Sequence, residues 1–123
     1  MHDTIGILLV DDEPDFLEIF SKKLTASGFE VAVAHNAKQA IHALQKIHPD
    51  LILMDIQLPK LDGYEATRRI KADPKLTAIP IIVVTSYALS GDEDKARAAG
   101  CDAYISKPFS PRQLLAKVRE YLP

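Results

Sequence analysis

Residues 51–55 read Leu51-Ile52-Leu53-Met54-Asp55: four apolar side chains in succession, then a carboxylate. A strand with one wet face alternates apolar and polar residues. An unbroken apolar run suits a strand covered on both faces, as in a parallel sheet between two layers of helices. The same pattern recurs on either side. Ile5–Val10 runs into Asp11, Asp12 and Glu13, and Ile81–Val84 runs into Thr85 and Ser86. Two shorter runs, Val31–Ala34 and Ala103–Ile105, complete a set of five, the last leading into Ser106, Lys107 and Pro108.

Helical spacing fills the gaps. Phe16, Leu17, Phe20 and Leu24 share one helical face, and so do Ala37, Ala40, Ile41, Leu44 and Ile47. Pro14 suits the first turn of a helix, where its missing N–H costs nothing. Gly28 and Gly100 suit the stops of the first and fourth helices. Ser110-Pro111-Arg112-Gln113 reads as a capping box opening the last helix. A strand–helix unit repeated five times predicts an α/β, doubly wound three-layer sandwich: a five-stranded parallel sheet with right-handed crossovers and five helices, flavodoxin-like with strand order 2-1-3-4-5.

The chain has 123 residues, 47% hydrophobic and 26% charged, which is one domain with enough apolar surface to form a core. Fifteen Lys and Arg against seventeen Asp and Glu leave a net charge of -2, which argues against a nucleic-acid binder. The short basic cluster Arg68-Arg69-Ile70-Lys71 reads as a solvated helix face. Cys101 is the single cysteine, so no internal disulfide forms, and it reads as a buried structural thiol in a reducing compartment. The N-terminus lacks the features of a signal peptide and the apolar runs are too short to span a bilayer, so a cytoplasmic protein is expected.

Ligands of open α/β sheets bind outside the carboxyl ends of the strands, where the strand order reverses. With order 2-1-3-4-5 that point lies between the first and third strands, so Asp11, Asp12 and Asp55 are expected to share one crevice, flanked by Thr85 and Lys107. Three carboxylates so close repel one another and call for a cation; an all-oxygen donor set suits Mg²⁺, with Mn²⁺ as a substitute. A lysine can bind a phosphoryl oxygen and a threonine hydroxyl can donate to another. These parts make an aspartyl-phosphate site, where positioning and charge neutralisation supply the catalysis. Each residue also has a plainer reading: Asp11-Asp12-Glu13 and Thr85 as helix caps, Asp55 as a turn residue, Lys107 as a surface lysine. Their joint placement at strand ends favours the site.

Asp11-Asp12, Leu53-Met54-Asp55, Pro59 with Asp62-Gly63, Thr85-Ser86 and Lys107-Pro108-Phe109 together resemble the signature set of response-regulator receiver domains in two-component signalling, across nearly the whole chain. The pattern is similar to that of the stand-alone chemotaxis response regulator. The resemblance implies a phosphorylation-activated switch of a two-component system or phosphorelay, not an enzyme beyond self-phosphorylation from a phosphodonor and slow autodephosphorylation. It implies that Asp55 accepts the phosphoryl group from a histidine kinase or histidine phosphotransfer protein. Asp12 and Asp55 would ligate Mg²⁺ directly with the backbone carbonyl of Gln57, and Asp11 would act through a metal-bound water. Lys107 and Thr85 would bind the phosphoryl group, Thr85 and Tyr104 would form the switch, and Pro108 would follow a cis peptide bond. Asp62-Gly63 would form the turn into the third helix. The surface of the fourth helix, fifth strand and fifth helix would then change its choice of downstream protein partner, as a monomer or as a phosphorylation-linked homodimer. Gln57 and Tyr87 would tune dephosphorylation, bulky Tyr87 hindering the hydrolytic water.

Other functions fit less well. A small Mg²⁺-dependent phosphohydrolase with an aspartate nucleophile is the alternative, but Asp11-Asp12 are adjacent where that class spaces its acids by one residue, and no cap domain is evident. A flavodoxin-like electron carrier would need a Ser/Thr/Gly phosphate loop where the acids stand, and all five site residues are present, against a silent receiver. His2, His35, His42 and His48 are scattered and none is assigned as ligand or base. The expected organisation is a single receiver domain over 1–123, either stand-alone, which Met1 favours, or cut from a longer regulator.

Overall fold

The computed structural model describes residues 6–56, 63–85, 92–107 and 109–122. Five strands and five helices alternate among them: β1 Gly6–Val10, α1 Pro14–Ala26, β2 Glu30–Ala34, α2 Ala37–Ala43, β3 Leu51–Asp55, α3 Gly63–Ala72, β4 Ile81–Thr85, α4 Asp92–Ala98, β5 Ala103–Ser106 and α5 Pro111–Arg119. All strand pairs are parallel, and the sheet order is β2-β1-β3-β4-β5, as expected.

The unbroken apolar runs have the reason anticipated for them. Successive strand residues point to opposite faces, and both faces of the central strands are covered. Leu8, Val10, Ile52, Met54, Ile81 and Val83 pack with Ala37 and Ala40 of α2, Leu44 at its C-cap, Ala66 and Ile70 of α3 and Ala96 of α4. Ile7, Leu9, Leu51, Leu53 and Ile82 pack on the other side with Leu17, Phe20 and Leu24 of α1 and Leu114, Leu115 and Val118 of α5. Burying each of the Leu, Ile, Val, Met and Phe side chains contributes about 1.5–3 kcal/mol. β2, at one edge, is the least buried of the three N-terminal strands.

The punctuation falls where the residue types place it. Pro14 opens α1, and Ser110 and Gln113 form the reciprocal capping box of α5. Gly28 and Gly100 take φ values of 98° and 100°, in the left-handed region that glycine enters at no steric cost.

Two expectations fail. Ile47 does not share the buried face of the second helix: α2 ends at Ala43, the following residues turn, and Ile47 is 40% exposed. Lys71 is not part of a solvated basic face. Arg68 and Arg69 pair with Glu65 at the surface, as read. The Lys71 ammonium instead donates to the carbonyls of Thr77 and Ile79 and to Asp102 Oδ2, whose carboxylate oxygen also accepts the Ile81 N–H. The side chain thus ties the end of α3 to the starts of β4 and β5.

Candidate functional site

β1 and β3 are neighbours running in the same direction, with Val10 in register with Met54. Their carboxyl ends therefore deliver Asp11, Asp12 and Asp55 to one place: one carboxylate oxygen from each lies within 4.8 Å of the other two. Asp11 is wholly buried and Asp55 is 2% exposed, whereas Asp12 faces solvent.

Asp11 is held on both sides. Its Oδ1 accepts the Glu13 N–H at 2.9 Å, and its Oδ2 accepts from the Lys107 ammonium at 2.9 Å. Its own N–H donates to the Ala34 carbonyl. At the start of α1, Glu13 is the N-cap and makes no side-chain capping bond, while its own N–H is taken by Asp11. Nor is Lys107 a surface lysine. It is 15% exposed, lies 3.7 Å from Glu13 Oε1 as well as beside Asp11, and its ammonium sits 4.2 Å from the ring centroid of Phe16. Burial works against the charged amine, but the Asp11 hydrogen bond and the charges of Asp11, Asp55 and Glu13 outweigh it, so the Lys107 pKa stands above the ordinary lysine value.

Thr85 closes β4 and is fully buried, one residue beyond Val84, which is in register with Asp55. The Lys107 N–H donates to the Thr85 carbonyl at 2.6 Å, so the ends of β4 and β5 meet at the same rim. Tyr104 lies on β5 opposite Val83 and packs half-buried against the α2–α3–α4 side of the core. Asp11, Asp12, Asp55 and Lys107 are thus brought together, with Thr85 on the adjoining strand end. Gln57, Pro59, Asp62, Ser86, Tyr87 and Pro108 lie outside the described residues.

Three residues matter here that the spacing of the motifs did not reveal. Glu13 pairs with Lys107, Phe16 supports it, and Gly63 abuts the main chain of Asp55 and Ile56. The acidic run and the Asp-Gly pair signalled the first and third, but only as a cap and a turn; nothing in the sequence signalled the second. Cys101 is half-buried where a buried thiol was expected, and that burial pushes its pKa up.

Chemically, three carboxylates at this spacing offer an all-oxygen donor set, and exposed Asp12 leaves room for water. That combination fits a hard divalent cation that keeps part of its hydration shell. The ammonium stands ready to neutralise a further anion beside it.

Comparison with known proteins matches this chain over almost its whole length. The model of the response regulator receiver domain matches residues 7–119. The polar-differentiation response regulator DivK of Brucella ovis is 40% identical over 119 residues, which is 97% of both chains. Among solved structures, the chemotaxis response regulator CheY4 of Vibrio cholerae superposes with a TM-score of 0.92 at 26% identity, over 97% of this chain and 99% of that one. The receiver domain of a sensor histidine kinase from Pseudomonas aeruginosa, solved with a magnesium ion coordinated in its active-site cleft, superposes with a TM-score of 0.88 at 36% identity, over 96% of this chain and 97% of that one.

Proposed function

The chain belongs to the response regulator receiver domain family, and we propose that Asp55 is the residue through which it is phosphorylated. Receiver domains are signalling switches rather than enzymes in the ordinary sense, and the phosphohydrolase alternative is not favoured. The observation that carries the reading is the meeting of Asp11, Asp12 and Asp55 within 4.8 Å, with the Lys107 ammonium 2.9 Å from Asp11.

In the transfer, an Asp55 carboxylate oxygen attacks the phosphorus of a phosphohistidine on a histidine kinase or phosphotransfer protein. An O–P bond forms as the N–P bond breaks, and the imidazole nitrogen keeps the bonding pair and takes up a proton. Lys107 neutralises one phosphoryl oxygen and the Thr85 hydroxyl donates to another. Asp12 and Asp55, with the Gln57 carbonyl, would hold Mg²⁺, and Asp11 would act through a water bound to it. When bound, Mg²⁺, or Mn²⁺ in its place, would supply positive charge against the carboxylates and phosphoryl oxygens gathered there. In the slow self-dephosphorylation, water attacks phosphorus and the Asp55 carboxylate leaves. Tyr87 and Gln57 tune that step, so Tyr87→Ala shortens the phosphorylated lifetime.

The new charge, roughly -1.5 to -2 with added acceptor oxygens, biases two packings of one chain. Thr85 moves toward the phosphoryl group, Tyr104 takes the space it leaves, and the surface of α4, β5 and α5 changes its affinity for a downstream protein or a second copy. We place this activity in the cytoplasm, in a single receiver domain over 1–123; no helix among the described residues is long and apolar enough to cross a membrane.

The deciding experiment is intact-mass spectrometry after incubation with acetyl phosphate and Mg²⁺. Wild type gains the mass of one phosphoryl group and Asp55→Asn gains none. Equal labelling of the two proteins excludes Asp55.

A further inference from the structure

The Lys107 ammonium has a further neighbour besides its acids, and that neighbour carries no charge. Its nitrogen lies 4.2 Å from the centroid of Phe16, within the distance at which the negative face of an aromatic ring attracts a cation. The ring is not a loose contact. Phe16 and Phe20 are one turn apart on α1 with centroids 4.4 Å apart, and Phe109 stands edge-on to both, at 6.0 Å and 5.3 Å. Phe20 is buried, and Phe109 lies two residues beyond Lys107. The three rings join α1, which follows the acids of β1, to the segment after β5, which carries the lysine.

We propose that Phe16 is a positioning residue for Lys107, holding its ammonium beside Asp11 and ready for the phosphoryl group; this rests on the reading of Asp55 given above. A lysine side chain has four rotatable bonds and no rigid fork, so it needs an outside surface to fix its end. A carboxylate in the place of Phe16 would also fix it, but would compete with the incoming anion for the same charge. The face of a ring attracts the cation while leaving its N–H groups for oxygen acceptors. Lys107 is 15% exposed, so water screens this attraction less than it would at an open surface.

The test replaces Phe16 with leucine and with phenylalanines carrying one or three ring fluorines, which keep the ring in place while draining negative charge from its face. Initial rates of Asp55 phosphorylation from acetyl phosphate are read at saturating Mg²⁺. The expected result is a graded fall along the fluorine series, reaching about threefold to tenfold for the trifluorinated ring and for leucine. In the unphosphorylated protein, the ε-methylene protons of Lys107 should show an upfield ring-current shift that Phe16→Leu abolishes. A trifluorinated protein that labels at the wild-type rate overturns the proposal, even if the leucine variant is slow or unfolded, because apolar support alone would then suffice. Absence of the ring-current shift in wild type overturns it too. A wild type that takes no phosphoryl group overturns the Asp55 reading along with this one. That outcome is distinct from failure of the Phe16 inference alone, in which wild type labels and fluorine has no effect.

Discussion

Gly63 and Asp55 meet main chain to main chain. A β-carbon built on Gly63 would fall far inside van der Waals contact with the Asp55 carbonyl oxygen and 2.5 Å from the Ile56 Cα. The Gly63 N–H donates to the Ile56 carbonyl, so the first residue of α3 rests on the end of β3 beside Asp55, the proposed phosphoryl acceptor.

Gly63→Ala is accordingly expected to do more than lower a turn preference. The atoms in the way are backbone, which cannot rotate aside, so α3 or the end of β3 must shift. We expect a loss of about 1–3 kcal/mol in urea unfolding, together with slower labelling of Asp55. A fully stable, normally labelled alanine variant would show that the contact imposes nothing.

Three carboxylates share one crevice, and like charges so placed repel one another when no cation is present. Asp55→Asn removes one charge and should stabilise the metal-free protein by about 1–2 kcal/mol. Mg²⁺ at about a hundred times its dissociation constant should stabilise wild type by about 2.7 kcal/mol, and Asp55→Asn by clearly less. Urea midpoints with Mg²⁺ and with EDTA give all four values.

The raised pKa of Lys107 predicts a pH dependence at the alkaline end. Its folded-state value lies above its unfolded one, so the stabilisation is complete below the unfolded pKa of about 10.4 and disappears as pH rises through the folded value. The difference in unfolding free energy between wild type and Lys107→Met should be flat from neutral pH to about 10 and shrink above it. A difference that grows with alkaline pH would contradict the assigned ion pair.

Thr67 on α3 is fully buried, and its hydroxyl has no hydrogen-bond partner among the described residues. Exchanging that hydroxyl for a methyl of similar size removes a desolvated polar atom, so Thr67→Val should raise stability by about 1 kcal/mol. Thermal or urea unfolding decides it, and a clear loss would mean that the hydroxyl has an acceptor.

Much of this molecule is legible without coordinates, for a specific reason. Leu51–Met54 and Ile81–Val84 can be continuously apolar only if both faces are covered, and the sheet covers both. Where the reading failed, the pattern had been extended past a boundary or judged by local neighbours alone. Ile47 fits a helical period but lies beyond the end of α2. Lys71 fits a basic run, but its carboxylate partner Asp102 is 31 residues away.

The order of residues was enough to establish the five strands, their parallel sense and the strand ends at which acids, hydroxyl and amine would stand, because burial of a strand and loss of burial at its end are written in local polarity. It could not establish that Lys107 leans on Phe16 while bonding Asp11, or that Gly63 leaves no room beside Asp55. Lys107 and Asp11 are 96 residues apart, and contacts of that kind depend on sheet register and on how helices seat against it, which emerge only when the whole chain packs.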